Sequence, residues 1–278
     1  MKKLLFIFIA VFYASFINAQ YFNPPTEIPL NKFKVLDSAQ LKFTYFFSYK
    51  KSYSRNESDT AFIVDKQVLL AGKNVSKYYS QYYLDCCERV MKKVMNIPME
   101  GSACSFEVFK NYPANKVTVT EQAGSYFYGG NYIYNEDKPE FKWTIDKDTM
   151  TLLGYTCQKA TTTFRGRNYT AWFAPEIPSS NGPWKFGGLP GLILKISDDK
   201  RNFIFECSGI QQLEKPEPIK VYTLNYTEMS RQGMDKLYRR FFKDPIQFWK
   251  NIRSEFLNDV DISDIHIPKM IYNPIEFE

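Results

Sequence analysis

Two alternating segments, Leu152-Leu-Gly-Tyr-Thr-Cys-Gln-Lys-Ala-Thr-Thr-Thr-Phe164 and Arg167-Asn-Tyr-Thr-Ala-Trp-Phe-Ala174, flank the dipeptide Arg165-Gly166. Threonine and aromatic side chains dominate both segments, and such side chains fit the pleated, half-buried surface of a strand. Glycine next to a polar residue suits the tight turn of a hairpin. We therefore predict a long antiparallel hairpin over residues 152–164 and 167–174. Because neither of its faces is wholly apolar, the sheet is expected to be partly solvated.

The rest of the chain also favours strands, since Phe, Tyr and Trp make up 17% of the residues. Further strands are predicted at residues 41–50, 60–70, 74–79, 105–110, 116–120, 126–134, 141–145, 192–197, 202–210 and 221–225. Apolar residues spaced three and four apart predict helices at residues 81–95, 228–242 and 246–256. The expected fold class is mainly β (α+β): a single antiparallel, curved sheet with two or three helices packed near residues 81–95 and 228–256.

The N-terminus has the pattern of a secretory signal. Lys2 and Lys3 precede an apolar run, residues 4–17, that is shorter than the ~20 residues that a membrane span needs. The small side chain of Ala19 favours cleavage after it, with an uncleaved membrane anchor as the alternative. The mature chain, residues 20–278, is then expected to be one periplasmic or secreted β-rich domain with an extended C-terminal tail and no transmembrane segment.

Charge and histidine content exclude several classes of partner and site. The full chain has 36 basic and 30 acidic residues, and the basic ones are scattered among acids, which argues against nucleic acid as a partner. The single histidine, His266, lies in a proline-containing tail, so neither a Ser-His-Asp triad nor a multi-histidine metal site is expected. We predict no metal and no cofactor.

Five cysteines would enter an oxidising compartment if the signal is used. Cys104 paired with Cys86 or Cys87 would close a short loop and contribute roughly 3 kcal/mol if unstrained. Cys157 paired with Cys207 is the other candidate disulfide. The alternative is that several of them are buried free thiols that pack as small hydrophobes.

A glycine- and proline-rich segment separates two of the predicted hairpins. It reads Asn181-Gly-Pro-Trp-Lys-Phe-Gly-Gly-Leu-Pro-Gly-Leu-Ile193. Pro190 fixes its own φ near −65°, and Gly191 accepts the positive φ that follows in a type II turn. The sequence therefore predicts such a turn over residues 189–192.

Two hypotheses remain open for the aromatic part of this segment. In the first, the segment is a rigid connection between strands, packed for stability. In the second, Trp184, Lys185 and Phe186 form an exposed tip beside Trp172 and Glu176. Aromatic anchors with one charge are typical of binding surfaces, so this tip would bind an apolar ligand or a protein partner.

The hexapeptide Gly188-Leu189-Pro190-Gly191-Leu192-Ile193 is the one that names the GLPGLI family of exported Gram-negative proteins, and the chain resembles that family. Further matching segments, in the family's order, lie at residues 141–143, 154–160, 166–167, 171–173, 176–178, 182–186 and 272–276. The resemblance implies a secreted or periplasmic protein of unassigned function, sometimes encoded near outer-membrane transport receptors. It supplies no catalytic residues. Tripeptides around Ser38, Thr60 and Thr149 also resemble the envelope O-glycosylation acceptor of some bacteria that carry this family.

Three classes of function remain open. The leading hypothesis is non-catalytic binding in the cell envelope, with an outer-membrane transport receptor or an apolar ligand as the partner. The second is an enzyme that acts on an envelope polymer through two carboxylates lying roughly 5 to 10 Å apart in a cleft. The third is a structural or assembly subunit. The candidate carboxylates are Glu136, Glu140, Asp146 and Glu176.

Overall fold

The computed structural model describes residues 30–50, 62–91, 105–121, 130–251 and 272–277. The predicted signal segment, Thr60, Cys104 and His266 lie outside the described residues, as do the last residues of two predicted helices. Within the described ranges, no helix has the length and the apolar character needed to cross a membrane.

Strands dominate the described residues, which confirms a mainly β protein. The strands are β1 (Phe33–Lys50), β2 (Phe62–Gly72), β3 (Ser76–Ser80), β4 (Phe106–Lys110), β5 (Lys116–Glu121), β6 (Asn131–Asp137), β7 (Thr144–Leu152), β8 (Tyr155–Phe164), β9 (Arg167–Ala174), β10 (Leu192–Asp198), β11 (Phe203–Tyr222) and β12 (Tyr226–Glu228). The helices are α1 (Gln81–Met91), α2 (Arg231–Lys243) and α3 (Pro245–Asn251).

The strands join in one wide, open sheet in the order β12-β6-β5-β4-β3-β2-β1-β11-β10-β9-β8-β7. Strand β1 lies in the middle, with β2 to β6 added one after another on one side and β11 back to β7 on the other. The pairs are antiparallel except for β12, which pairs parallel with β6. The predicted single sheet is therefore a wide one of 12 strands in the described residues, and it includes one parallel pair that the sequence did not predict.

The predicted hairpin is present as β8 and β9. Arg165 and Gly166 have φ values of 42° and 76°, the two positive values that a type I′ turn requires. A second such turn, at Leu153 (φ 51°) and Gly154 (φ 84°), joins β7 to β8. The predicted strand over residues 152–164 was therefore too long, because leucine rarely adopts positive φ and conceals this turn in the sequence.

A contact between remote strands shows that the sheet is strongly curved. Glu136 lies on β6 and Arg165 lies in the turn between β8 and β9, and seven strands separate β6 from β9 in the sheet order. A flat sheet would hold these strands about 38 Å apart, at ~4.8 Å per strand. Instead, Arg165 Nη2 lies 2.6 Å from Glu136 Oε2. Two side chains cannot span the flat distance, so the sheet curls around one of its faces.

This inner face holds the main hydrophobic core. Alternate residues of β1, namely Phe43, Tyr45 and Phe47, are buried in it, whereas Phe46 lies on the opposite, outer face. Directly opposed residues of paired strands share a face, so the register also shows which residues of the neighbouring strands lie on the inner face and which on the outer face. The core also receives side chains from the connection between β9 and β10, which includes the glycine- and proline-rich segment.

The helices lie where they were predicted, with shifted ends. Helix α1 packs Cys87 against Tyr222 of β11. Helix α2 begins at Arg231, three residues later than predicted, because Ser230 is its N-cap. The Ser230 hydroxyl accepts a hydrogen bond from the backbone N–H of Gly233 at 3.0 Å, which satisfies one of the free donors of the first turn.

Candidate functional site

The connection between β9 and β10, residues 175–191, folds back into the curl of the sheet. Phe186 is fully buried, and its ring centroid lies 4.8 Å from that of Tyr169 on β9. The rings of Trp184 and Phe141 lie 5.2 and 5.5 Å from Phe186. The aromatic side chains of the connection are therefore part of the inner-face core.

Polar contacts from other strands hold the connection in place. Lys110 of β4 donates from Nζ to Asn181 Oδ1 (2.6 Å), to Gly182 O and to Phe186 O (2.9 Å). The indole N–H of Trp143 donates to Gly187 O at 2.9 Å. Burial lowers the pKa of Lys110. The three oxygen acceptors favour its charged form, which alone supplies three donors.

Pro190 forms a tighter turn than predicted. The N–H of Gly191 donates to Leu189 O at 2.8 Å, which closes a three-residue γ-turn. Gly191 has a φ of 154°, whereas a type II turn needs about +80° there. A Cβ atom on Gly191 would lie 2.3 Å from Ala174 O. The predicted type II turn is therefore wrong, and glycine is required because the two backbones approach so closely.

Buried charged side chains meet where β6 approaches the β8–β9 turn. We call this group the Lys185 cluster: Lys185, Arg165, Arg231, Glu136 and Glu276. Lys185 Nζ lies 2.5 Å from Glu136 Oε1 and 2.8 Å from Glu276 Oε1. Arg165 bridges the same two carboxylates at 2.6 and 2.7 Å, and Arg231 lies 3.8 and 3.6 Å from them. Three cations therefore surround two carboxylates.

Neighbouring charges decide the ionisation of this cluster. Burial alone would raise the pKa of Glu136, but Lys185 and Arg165 hold it below its usual value. Burial would likewise lower the pKa of Lys185, but Tyr134, Glu276 and Glu136 raise it instead. Burial raises the pKa of Tyr134 to about 12, and its hydroxyl accepts a hydrogen bond from Lys185 Nζ at 3.1 Å. Glu136 and Lys185 are therefore both ionised at neutral pH.

Glu136 and Glu276 are the two carboxylates that could form the catalytic pair of the enzyme hypothesis. Glu136 and Glu276 converge, since both contact Lys185 Nζ. A pair that cleaves glycosides needs one carboxyl group with a raised pKa that can donate a proton. Glu136 has a lowered pKa, and cations bind both groups. The pair therefore suits a structural clamp better than acid–base catalysis.

Trp172 lies on the outer face of the sheet. It stands directly across from Lys195 of β10 and from Lys159 of β8. The same row continues through Glu206 of β11 to Phe46 of β1. We call these five residues the outer row. Lys195 Nζ lies 2.8 Å from Glu206 Oε2, so two of the charges in the row are paired with each other.

Exposed apolar side chains flank the Phe46 end of the outer row. Phe46 is 46% exposed, and Val64 and Phe62 of the neighbouring β2 are also exposed. Val64 stands across from Ser48, and Phe62 across from Lys50, on the same face as Phe46. Apolar side chains gathered on one face of a sheet are typical of a surface that contacts another protein.

The structure separates the predicted site residues from one another. Trp184, Lys185 and Phe186 are buried, and only 3% of Lys185 is accessible. The prediction that they form an exposed tip is therefore wrong, because they pack into the core and the Lys185 cluster. Trp172 is half-buried on the outer face, and Glu176 is exposed in the connection. The arrangement matches the hypothesis of a rigid, packed connection.

Sequence reasoning missed the apolar part of the outer face, although the sequence carries a signal for it. Tyr45, Phe46 and Phe47 are three consecutive aromatic residues in one strand. Successive side chains of a strand point to opposite faces, so at least one of the three has to lie opposite the other two.

Within the part of the chain that the structure describes, no group of three or more His, Cys, Asp or Glu side chains could hold a metal ion.

The described cysteines are buried free thiols: Cys86, Cys87, Cys157 and Cys207. Burial raises the pKa of Cys86 to about 11, and burial together with Cys157 raises that of Cys207 to about 12. Pairing of Cys86 or Cys87 with Cys104, which lies outside the described residues, stays a prediction. So does the oxidation of Cys157 with Cys207.

We expect Cys86 and Cys207 of the reduced, folded protein to resist alkylation at about pH 8, because the thiolate is the reactive form. A raised folded pKa also means that their contribution to stability is complete below their ordinary pKa of 9.0 and is lost as the pH rises towards 11 to 12. Mass mapping of iodoacetamide-treated peptides, with and without urea, measures the labelling. Equal labelling rates with and without urea would contradict the burial of these thiols.

Parts of the chain are similar to one family model and to solved structures. A family model described as "Protein of unknown function (Porph_ging)" matches residues 163–195, which include β9 and the connection to β10. No curated protein matches the chain. The structure of PNGF-II in space group P21 is similar, with 14% identity and a TM-score of 0.45 over 73% of this chain and 33% of that one. For PNGF-II in space group C2 the identity is 13% and the TM-score 0.42, with the same coverage. The chain thus spans about a third of the length of these structures.

Proposed function

We propose that the protein is an exported, non-catalytic component of the cell envelope that binds a protein partner through the outer face of its sheet. The observation that carries this proposal is the position of Phe46 and Trp172 in one row of that face, beside the exposed Val64 and Phe62. Aromatic anchors with flanking apolar and charged side chains are characteristic of protein-contact surfaces.

Side chains of the protein itself fill the inner face of the sheet, which supports the outer face as the binding surface. Trp184 and Phe186 occupy the curl of the sheet, and Lys110 binds the backbone of their connection. An apolar ligand would have to displace this packed segment from the core, at a cost comparable to that of truncating several large buried side chains. Binding at the outer face needs no such rearrangement.

Export and the kind of partner rest on the sequence. The signal pattern ending at Ala19 supports passage across the inner membrane, and the resemblance to the GLPGLI family supports a periplasmic or secreted location. Because members of that family are sometimes encoded near outer-membrane transport receptors, such a receptor is the first partner to test. An extracytoplasmic domain of the receptor would supply the complementary apolar surface.

Site-specific photo-cross-linking in the native cells tests the proposal. A photoreactive residue at position 172 is expected to give a defined adduct with one partner. The same residue at position 145 should give none, because Ile145 is as exposed as Phe46, at 46%, but its register partner, Ala160, belongs to the inner face. Identical adducts from both positions would contradict the assignment of the outer face.

The affinity for the purified partner then measures the contribution of the aromatic anchors. Trp172→Thr and Phe46→Thr are each expected to weaken binding about tenfold or more, which is the usual effect of truncating an interface anchor. Threonine keeps the strand propensity, and Ile145→Thr serves as the matched control with unchanged affinity. Unchanged affinity in the first two variants would remove the outer row from the interface.

A further inference from the structure

The C-terminal residues 272–277, which bend at Ile275, lie against the β8–β9 hairpin and helix α2. Side chains of the hairpin bind the backbone of this segment. Both Arg167 Nε and Nη2 donate to Pro274 O, at 3.0 and 2.6 Å, and the Tyr169 hydroxyl donates to Ile275 O at 2.8 Å. The N–H of Phe277 donates to Arg165 O at 3.1 Å. Most of these contacts are to the main chain, as in the recognition of extended peptides.

The side chains of the segment also make specific contacts. Asn273 Oδ1 accepts a hydrogen bond from Arg167 Nη2 at 2.5 Å, and the Phe277 ring centroid lies 4.2 Å from the Arg167 guanidinium carbon. Ile275 packs against the inner-face core. The hydroxyl of Tyr272 donates to Asp235 Oδ1 of α2 at 2.7 Å. The segment therefore has defined contacts along a surface formed by Arg165, Arg167, Tyr169, Lys185 and Asp235, which we call the groove.

Glu276 supplies a negative charge to the cations of the groove. In the Lys185 cluster it lies 2.8 Å from Lys185 Nζ and 2.7 Å from Arg165 Nη1. Without this residue, the cluster would keep three cations and a single carboxylate, that of Glu136. Charge-assisted hydrogen bonds to a buried, uncompensated cation group are among the strongest polar contacts available to a ligand. A vacant groove would therefore select a peptide with glutamate at this position.

We propose that this groove is a peptide-binding site for a segment of the pattern Asn-Pro-aliphatic-Glu-aromatic, and that the chain's own C-terminal segment is its ligand in cis. The same segment of a second copy can take its place, because each copy carries the sequence that fits the groove. Residues 252–271 join α3 to the segment, and a chain of that length spans up to about 65 Å when extended. The connection is therefore long enough to let the segment leave the groove without moving the sheet. This site is independent of the outer face.

Cleavage of the folded, full-length chain tests the proposal without deleting any residue that contacts the groove. A protease site placed between residues 262 and 263 converts the C-terminal segment into a separate peptide. After cleavage, the peptide is expected to remain bound and to exchange, saturably, with a fluorescent Tyr-Asn-Pro-Ile-Glu-Phe peptide added in solution. Fluorescence anisotropy measures the exchange, and circular dichroism checks that the sheet stays folded.

Controls on the peptide leave the protein unchanged. Replacing its glutamate by glutamine is expected to weaken binding about tenfold or more, because the cations lose their partner, and a scrambled peptide should not compete. Loss of the β-sheet signal on cleavage, a released segment that never exchanges, or equal binding of the scrambled peptide would each overturn the proposal.

The oligomeric state of the uncut chain tests whether a second copy supplies the segment in trans. We expect a concentration-dependent dimer, with cross-links from the Arg165 region of one copy to the Phe277 region of the other. A chain that stays monomeric at all concentrations would overturn the exchange between copies, even if its cut form bound the added peptide.

Discussion

Replacing Lys185 by methionine is expected to lower the free energy of unfolding by about 3 to 5 kcal/mol. The ammonium group lies between Glu136 and Glu276, and its side chain is almost wholly inaccessible. Its removal leaves the Oε1 atoms of both carboxylates without a cation, because Arg165 and Arg231 contact only their Oε2 atoms. Methionine fills a similar volume, so the loss measures the charge rather than a cavity. Urea denaturation, followed by circular dichroism, gives the value.

Lys42→Met is the matched control for this prediction. Lys42 Nζ lies 3.2 Å from Glu217 Oε2, but both side chains are partly exposed. An ion pair in contact with water contributes about 1 kcal/mol or less, so this variant should stay close to the parent. If Lys185→Met lost no more stability than Lys42→Met, the Lys185 cluster would not be the clamp that the geometry indicates.

Replacing Gly191 by alanine is expected to cost about 3 kcal/mol or more, because backbone strain and overpacking act together. The new Cβ atom would lie 2.3 Å from Ala174 O and 2.8 Å from Pro175 Cα. These are backbone atoms of the preceding strand end, which cannot rotate away. The change in denaturation midpoint measures the loss.

Gly188→Ala separates the effect of close packing from that of positive φ. Gly188 also has a positive φ, +87°, but the atom nearest to a Cβ there is Trp143 Nε1, at 3.8 Å. This variant should lose only the ~1 to 2 kcal/mol that a left-handed conformation costs an L-residue. Equal losses in the two variants would show that the approach of Gly191 to Ala174 contributes nothing.

The strands were largely predictable from local sequence, and the failures have local causes. The Arg165-Gly166 turn was predicted because glycine and a polar residue mark it, whereas the Leu153 turn was hidden by its leucine. Strand β11 continues through Pro216 and Pro218, between the two strands predicted at residues 202–210 and 221–225. Its pairing with β1 is irregular between Gln212 and Glu217, which accommodates Pro216, whereas Pro218 stands across from Ser38.

The candidate site was less predictable, because its contacts join distant parts of the chain. A lysine between two aromatic residues is usually exposed, and one of the two hypotheses placed Lys185 on an exposed tip. Its carboxylate partners, Glu136 and Glu276, lie on another strand and near the C-terminus, and no local pattern links them. The curl of the sheet brings the three together. A curved sheet was predicted, but these contacts depend on how far it curls, which the pairing of Glu136 with Arg165 shows.

Amide hydrogen exchange across the glycine- and proline-rich segment, residues 181–193, tests the central claim most directly. This claim is that the segment belongs to the core and that the outer face is the binding surface. The N–H groups of Phe186, Gly188 and Ile193 donate to Pro183 O, Ser180 O and Asn181 O at 2.9 to 3.0 Å. We expect these amides to exchange only about as fast as the whole domain unfolds. Exchange as fast as that of the exposed residues of β7 would contradict the account, because it would place the segment at the surface.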